Sequence, residues 1–139
     1  MAKSVLVGVM AAIGLVTAAI AEGDPDAGAK QFNKCKACHK IESDEGEVIV
    51  KGGKTGPNLY GVIGRSVGST DYNYGPGLKE AAVDDVIWSE KMLAAYVADP
   101  KNWLKSQGYT NKSKMSYKLR TGAGDVAAFL SSVGPVQSE

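Results

Sequence analysis

The sequence predicts an all-α fold: a single domain of about four to five helices joined by irregular, glycine-rich chain. Helix caps and stop residues bracket apolar stripes of helical spacing in several places, and no strand–helix–strand unit is found between them. At 139 residues the chain has room for one domain. With only 7% aromatic residues, so small a core would gain from enclosing a large prosthetic group.

The first stretch reads as a targeting segment. Lys3 is followed by an uncharged run from Ser4 to Ala21 that closes on Ala19-Ile20-Ala21, a small-x-small cleavage pattern. A retained membrane anchor is the rival, since the run just reaches spanning length. Half of it, however, is Gly, Ala, Ser or Thr, and a domain starting at Asp24 leaves almost no linker. The expectation is a signal peptide, residues 1–21, cleaved after Ala21, and a domain over 22–139 with no permanent membrane anchor. Export argues for a bacterial periplasm.

Asp24-Pro25-Asp26 opens the first helix, with Asp24 as cap, Pro25 at the first helical position and Asp26 at the positive end of the dipole. It runs to about the cysteines, with Gly28 and Phe32 on one face. An acidic turn follows from Glu42 to Glu47, then a short extended piece, Val48 to Val50. Lys51 to Asn58 is a loop by every local sign, and residues 61 to 78 stay glycine-rich. A short helix covers Leu78 to Val83. Ser89 caps the clearest helix, whose face is Trp88, Met92, Leu93, Tyr96 and Val97. Asp99-Pro100 ends it and starts another, which carries Trp103 and Leu104 to near Gly108. Gln107 to Lys118 is a basic loop, and a last helix spans about Gly122 to Val133.

The chemistry concentrates in Cys35-Lys36-Ala37-Cys38-His39, which holds both cysteines and the one histidine of the chain. Two thiols one helical turn apart can each add to a vinyl group of one haem, and the histidine after the second can ligate its iron. Three other readings use parts of the motif. A redox dithiol expects a strand–helix–strand setting; zinc needs about four ligands, which only carboxylates could complete; a plain disulfide leaves His39 without a role. The motif as a whole favours one haem c, covalent through two thioethers. In the following loop, the Pro57 carbonyl is a suitable acceptor for the second N–H of a metal-bound imidazole.

The sixth iron position could go to a methionine, to a lysine or to nothing, and the chain has four methionines. Met1 and Met10 leave with the targeting segment, and Met92 has a packing role on a helix face. Met115, among Lys112, Ser113, Lys114, Ser116 and Lys118, has none, so His39 and Met115 are the expected metal ligands. Such a pair blocks the position where oxygen or peroxide would bind, which favours an electron carrier over an enzyme. The alternative is a small haem enzyme, peroxidase-like, with an open or labile sixth site.

The chain resembles the class I cytochromes c, most closely bacterial cytochrome c2 and related periplasmic c-type carriers. The resemblance covers essentially all of 22–139. It rests on Gly28-x-x-x-Phe32, Cys35 to His39, Thr55-Gly-Pro-Asn-Leu59, Gly64-Arg65, Trp88, the Tyr96 region, Lys114-Met115 and Asp125 to Leu130. It implies the class I fold wrapped around one haem, with His39 and Met115 as axial ligands and Pro57 orienting His39. It further implies that Arg65, Tyr74 and Trp88 satisfy a buried haem propionate, that Tyr96 and Ser113 neighbour the Met-side pocket, and that the first and last helices cross. Extra residues around Asp44 to Lys54, and a longer loop between Trp103 and Met115, depart from the shorter mitochondrial pattern.

Sixteen basic and 15 acidic side chains nearly balance, which gives no footprint for nucleic acid, and the chain has no phosphate-binding loop or Ser/His/Asp set. The distribution is uneven. Lys34, Lys36, Lys101, Lys105, Lys112, Lys114 and Lys118 gather near the motif and the Met115 loop, while acids gather in 42–47 and 80–90. A ring of this kind would steer a monomeric carrier to acidic docking surfaces. The candidate partners are a quinol:cytochrome c oxidoreductase and a photosynthetic reaction centre or a terminal oxidase or reductase.

Overall fold

The computed structural model describes Gly14 and residues 23–135. Apart from Gly14, the expected signal peptide lies outside the described residues. No described helix is long and apolar enough to cross a membrane. In chain order the elements are α1 (Pro25–Gln31), a 3-10 turn (Phe32–Lys34), β1 (Ile41–Glu42), β2 (Val48–Val50), α2 (Pro76–Val83), α3 (Glu90–Ala98), α4 (Pro100–Ser106) and α5 (Ala123–Val133).

The helices start where local chemistry satisfies their free N–H groups. Asp24 Oδ1 accepts from the Asp26 amide at 2.9 Å, Ser89 Oγ from Met92 at 3.1 Å and Asp99 Oδ1 from Asn102 at 3.1 Å. α2 begins at Pro76, two residues before the expected Leu78, because Gly75 is extended and Pro76 fits the first turn.

α1 and α5 cross with their backbones nearly touching. A Cβ at Gly28 would stand 1.9 Å from the Asp125 carbonyl oxygen and 2.7 Å from the Phe129 Cβ, so the crossing needs glycine. Phe32, fully buried, fills the contact with its ring centroid 5.6 Å from that of Phe129. The crossing is tied at its end by the Asp24 amide, which donates to Asp125 Oδ1 at 2.9 Å. α3 packs on both α4 and α5, and Trp88, Tyr96 and Trp103 form an aromatic cluster with centroids 5.2–5.6 Å apart.

A short antiparallel pair interrupts the helical architecture. Ile41 faces Val50, and an irregularity follows before Glu42 meets Val48. The extended piece at Val48–Val50 was legible in the sequence; its partner at Ile41–Glu42 was not. That partner is held from a distance by Asn58, whose side chain accepts from the Glu42 amide at 3.0 Å and donates to its carbonyl at 2.7 Å.

Candidate functional site

The 3-10 turn carries the chain straight into the cysteine motif. Cys35 donates to the Phe32 carbonyl at 2.8 Å, Cys38 to Cys35 at 3.1 Å and His39 to Cys35 at 2.9 Å. This helix-like winding brings Cys35, Cys38 and His39 to the lining of one cavity. Against the motif's backbone lies a strap, residues 52–57. Gly53 donates to the Lys36 carbonyl and Gly56 to the Cys38 carbonyl, each at 2.8 Å. A Cβ would stand 1.8 Å from the His39 oxygen at Gly52, 2.2 Å from the Ala37 oxygen at Gly53 and 2.4 Å from the His39 ring at Gly56. Three glycines thus let the strap lie flat on the motif.

The strap ends on Pro57, whose carbonyl accepts from His39 Nδ1 at 2.8 Å. That bond puts the proton on Nδ1 and leaves Nε2 with its lone pair. Burial holds the His39 pKa below its ordinary value, against the opposing pull of the Pro57 hydrogen bond, so the ring is kept in its neutral, ligating form. Burial also pushes the Cys35 thiol up to about 11, helped by Cys38 and opposed by Lys34. A catalytic dithiol needs the opposite shift. Both cysteines are free, and the antiparallel pair is not the strand–helix–strand unit that the dithiol reading requires.

All eight residues singled out from the sequence line the same cavity of about 330 Å³: Cys35, Cys38, His39, Pro57, Arg65, Tyr74, Trp88 and Met115. Its apolar wall is made by Leu59, Val62, Leu78, Leu93, Leu119, Val126 and Leu130, drawn from most of the chain. Met115 is half-buried in a loop without regular structure. Its amide donates to Ser113 Oγ at 3.1 Å, and that oxygen pairs with the Tyr96 hydroxyl at 3.0 Å, which tethers the loop to α3.

No family model matches the chain. Cytochrome c-551 of Roseobacter denitrificans is 53% identical to it over 115 residues, spanning 81% of this chain and 83% of that protein. Cytochrome c-550 of Paracoccus versutus is 49% identical over 132 residues, spanning 91% and 86%. The chain belongs to the class I cytochromes c. The X-ray structure of ferric cytochrome c-550 from P. versutus superposes with a TM-score of 0.77 at 50% identity, covering 81% of this chain and 99% of that one. Cytochrome c2 from Rhodobacter capsulatus gives 0.77 at 45% identity, with 80% and 98% covered. This cytochrome is therefore close to the c2 and c-550 proteins, which are electron carriers rather than enzymes, and the haem-enzyme alternative falls.

The cytochrome's own residues fit a haem. Arg65 Nη1 donates to the carbonyls of Asn58 at 3.2 Å and Tyr60 at 3.0 Å. Its Nε is buried with no partner among the described residues. The ion pairs among those residues are Lys40–Glu42 and Lys118–Asp99, so the guanidinium has no carboxylate of its own. A half-buried cation beside the cavity, with no carboxylate among the described residues, suits an anionic substituent on the bound group. Tyr74, buried, shares a 2.6 Å hydrogen bond with Thr70 Oγ1, and Trp88 closes the cavity with its ring against Tyr96.

Sequence reasoning missed three groups of contacts around the site. The close approach of Gly52 and Gly53 to the motif was hidden because glycine in a loop signals only a turn. The Asn58 link to β1 and the carboxylate contacts of the Met115 loop join residues far apart in the chain, and no local pattern marks them.

Proposed function

We propose that this cytochrome is a soluble periplasmic carrier of single electrons with one haem c held by Cys35 and Cys38 and ligated by His39 and Met115. When bound, the haem supplies a one-electron iron couple. The Cys35 and Cys38 thiols would tether the haem, and His39 Nε2 and the Met115 thioether would ligate its iron, with the Pro57 carbonyl fixing the imidazole. Arg65, Tyr74 and Trp88 would receive a propionate, and the apolar wall would keep water out. Residues 1–21 direct export and are removed, and the monomer then docks through its lysines on acidic surfaces. Its partners are a quinol:cytochrome c oxidoreductase as donor and a reaction centre or terminal oxidase or reductase as acceptor.

The observation that carries this reading is the convergence of both thiols, His39, Met115 and the unmatched Arg65 on one cavity. The absorption spectrum of the purified ferric protein tests it. The expected result is a c-type spectrum with a thioether-to-iron charge-transfer band that disappears in Met115→Ala, where carbon monoxide then binds readily to the reduced form. A colourless protein, or a band untouched by the substitution, overturns it.

A further inference from the structure

The Met115 loop has no regular secondary structure, and Lys112, Lys114, Ser116, Tyr117 and Lys118 are all exposed, so its own packing holds it weakly. Each limb, however, is fastened by a carboxylate. On the incoming limb, Glu80 of α2 accepts from the Thr110 amide at 2.7 Å and from Thr110 Oγ1 at 2.5 Å. Gly77 lets the backbones meet there: a Cβ would stand 2.3 Å from the Thr110 oxygen, and the Gly77 amide donates to Lys112 at 3.1 Å. On the outgoing limb, Lys118 Nζ donates to Asp99 Oδ2 at 2.8 Å, beside the Leu119 amide, which donates to Val97 at 2.8 Å. Asp99 is also the cap of α4, so it is fixed by the helix it starts.

We infer that Glu80 and Asp99 are positioning residues that latch the two limbs of this loop and thereby set how often the Met115 thioether leaves the iron. The inference rests on the ligand assignment proposed above. A ligand carried on a loop departs when the loop opens, and the free energy of that local opening is set by the contacts that must break first. A swing of residues 110–118 must break the Ser113–Tyr96 pair and the Lys114 bond to the Asn73 carbonyl near Met115. At the two ends of the loop it must break two bonds to one carboxylate on one limb and an ion pair on the other. Because they sit on different limbs, their effects should multiply.

The test is the rate at which imidazole enters the ferric holoprotein at saturating imidazole, where departure of the native ligand limits. Glu80→Gln, Thr110→Val and Asp99→Asn (Asn retains the helix cap) should each raise that rate about three- to fivefold. The Glu80→Gln/Asp99→Asn pair should raise it by about the product of the single effects. Thr110→Ser, which keeps both donors, should restore the native rate. Unchanged imidazole entry in Glu80→Gln and Asp99→Asn overturns the latches, whether or not the denaturant midpoint falls; a fall alone marks a merely structural role. If the native ferric protein lacks the thioether band, the ligand assignment and the latches fail together. If the band is present and the rates are native-like, the latches alone fail.

Discussion

Gly52 lies so close to His39 that a Cβ on it would stand 1.8 Å from the His39 carbonyl oxygen. The strap that fixes the imidazole through Pro57 therefore depends on a side chain being absent five residues earlier. Gly52→Ala must push the strap off the motif, straining the bonds from Gly53 to Lys36 and from Gly56 to Cys38. Overpacking against backbone cannot be relieved by a rotamer change, so a loss of about 1–3 kcal/mol is expected. Urea unfolding of the holoprotein measures it. A midpoint equal to that of the native chain would mean that the strap is free to move.

Arg65 places a positive charge beside the cavity with no carboxylate paired to it among the described residues. Burial lowers its pKa from the ordinary value, with the neighbouring Tyr74 acting in the opposite direction, but a guanidinium stays charged at any working pH. A fixed cation favours addition of an electron nearby, so removing it should lower the reduction potential. Arg65→Gln is expected to lower it by roughly 60 mV, a tenfold change for one electron. Equilibrium redox titration reads the shift directly. An unchanged or raised potential would place the anionic group elsewhere.

The helix caps and the residues that meet at the cavity were legible because their signals are local. Cys35 to His39 is one contiguous word, Met115 stands out for lacking a helical stripe, and the Asp24, Ser89 and Asp99 caps sit where their side chains must be. The Gly28–Phe32 spacing likewise marked a close backbone approach, and a Cβ on Gly28 would stand 1.9 Å from the Asp125 carbonyl oxygen, which gives the reason. What escaped was non-local or conformational. Thr110 gives no sign in sequence that Glu80 will accept from it, and Asn58 gives none that it will hold β1. Asp84 lies in the acidic stretch 80–90 with nothing to mark a partner, yet its carboxylate accepts from the Tyr109 hydroxyl at 2.8 Å. Pairings of this kind are fixed by the folded path of the chain and leave no periodicity behind.

The lysine distribution predicts a salt-dependent reaction with acidic partners. Lys34, Lys36, Lys101, Lys105 and Lys112 are exposed and lie outside the two ion pairs of the described residues. Lys118 is paired with Asp99, and Lys114 donates to the Asn73 carbonyl with its ammonium 5.6 Å from the centre of the Tyr72 ring. The free lysines should therefore dominate steering. Bimolecular electron-transfer rates with an acidic partner should fall as ionic strength rises and the screening length shrinks from about 30 Å at 0.01 M to 10 Å at 0.1 M. Lys36→Glu should flatten that slope more than Lys118→Glu. Equal effects of the two substitutions would deny the pairing its influence.

Acid should loosen the Met115 loop before it reaches the rest of the fold. Hydrogen bonds from the Thr110 hydroxyl and amide hold the Glu80 carboxyl below its ordinary 4.5. The Lys118 ammonium, and then the Asn102 amide, hold Asp99 below its ordinary 3.8. A carboxyl with a lowered folded value binds its proton more readily in the unfolded chain. Its contribution is thus complete above the ordinary values and disappears as pH falls through the lowered ones. Glu80 is exposed and Asp99 half-buried with its carboxylate reached by solvent, so screening keeps the effect small. The thioether band of the ferric protein, followed from about pH 6 down to about pH 2, should fade on the acid side of the ordinary carboxyl values. Glu80→Gln and Asp99→Asn each remove one titrating group and the bond it makes. Each should shift the onset of fading toward neutral pH and make it less steep. An acid profile identical in all three proteins would show that the loop opens without breaking either contact.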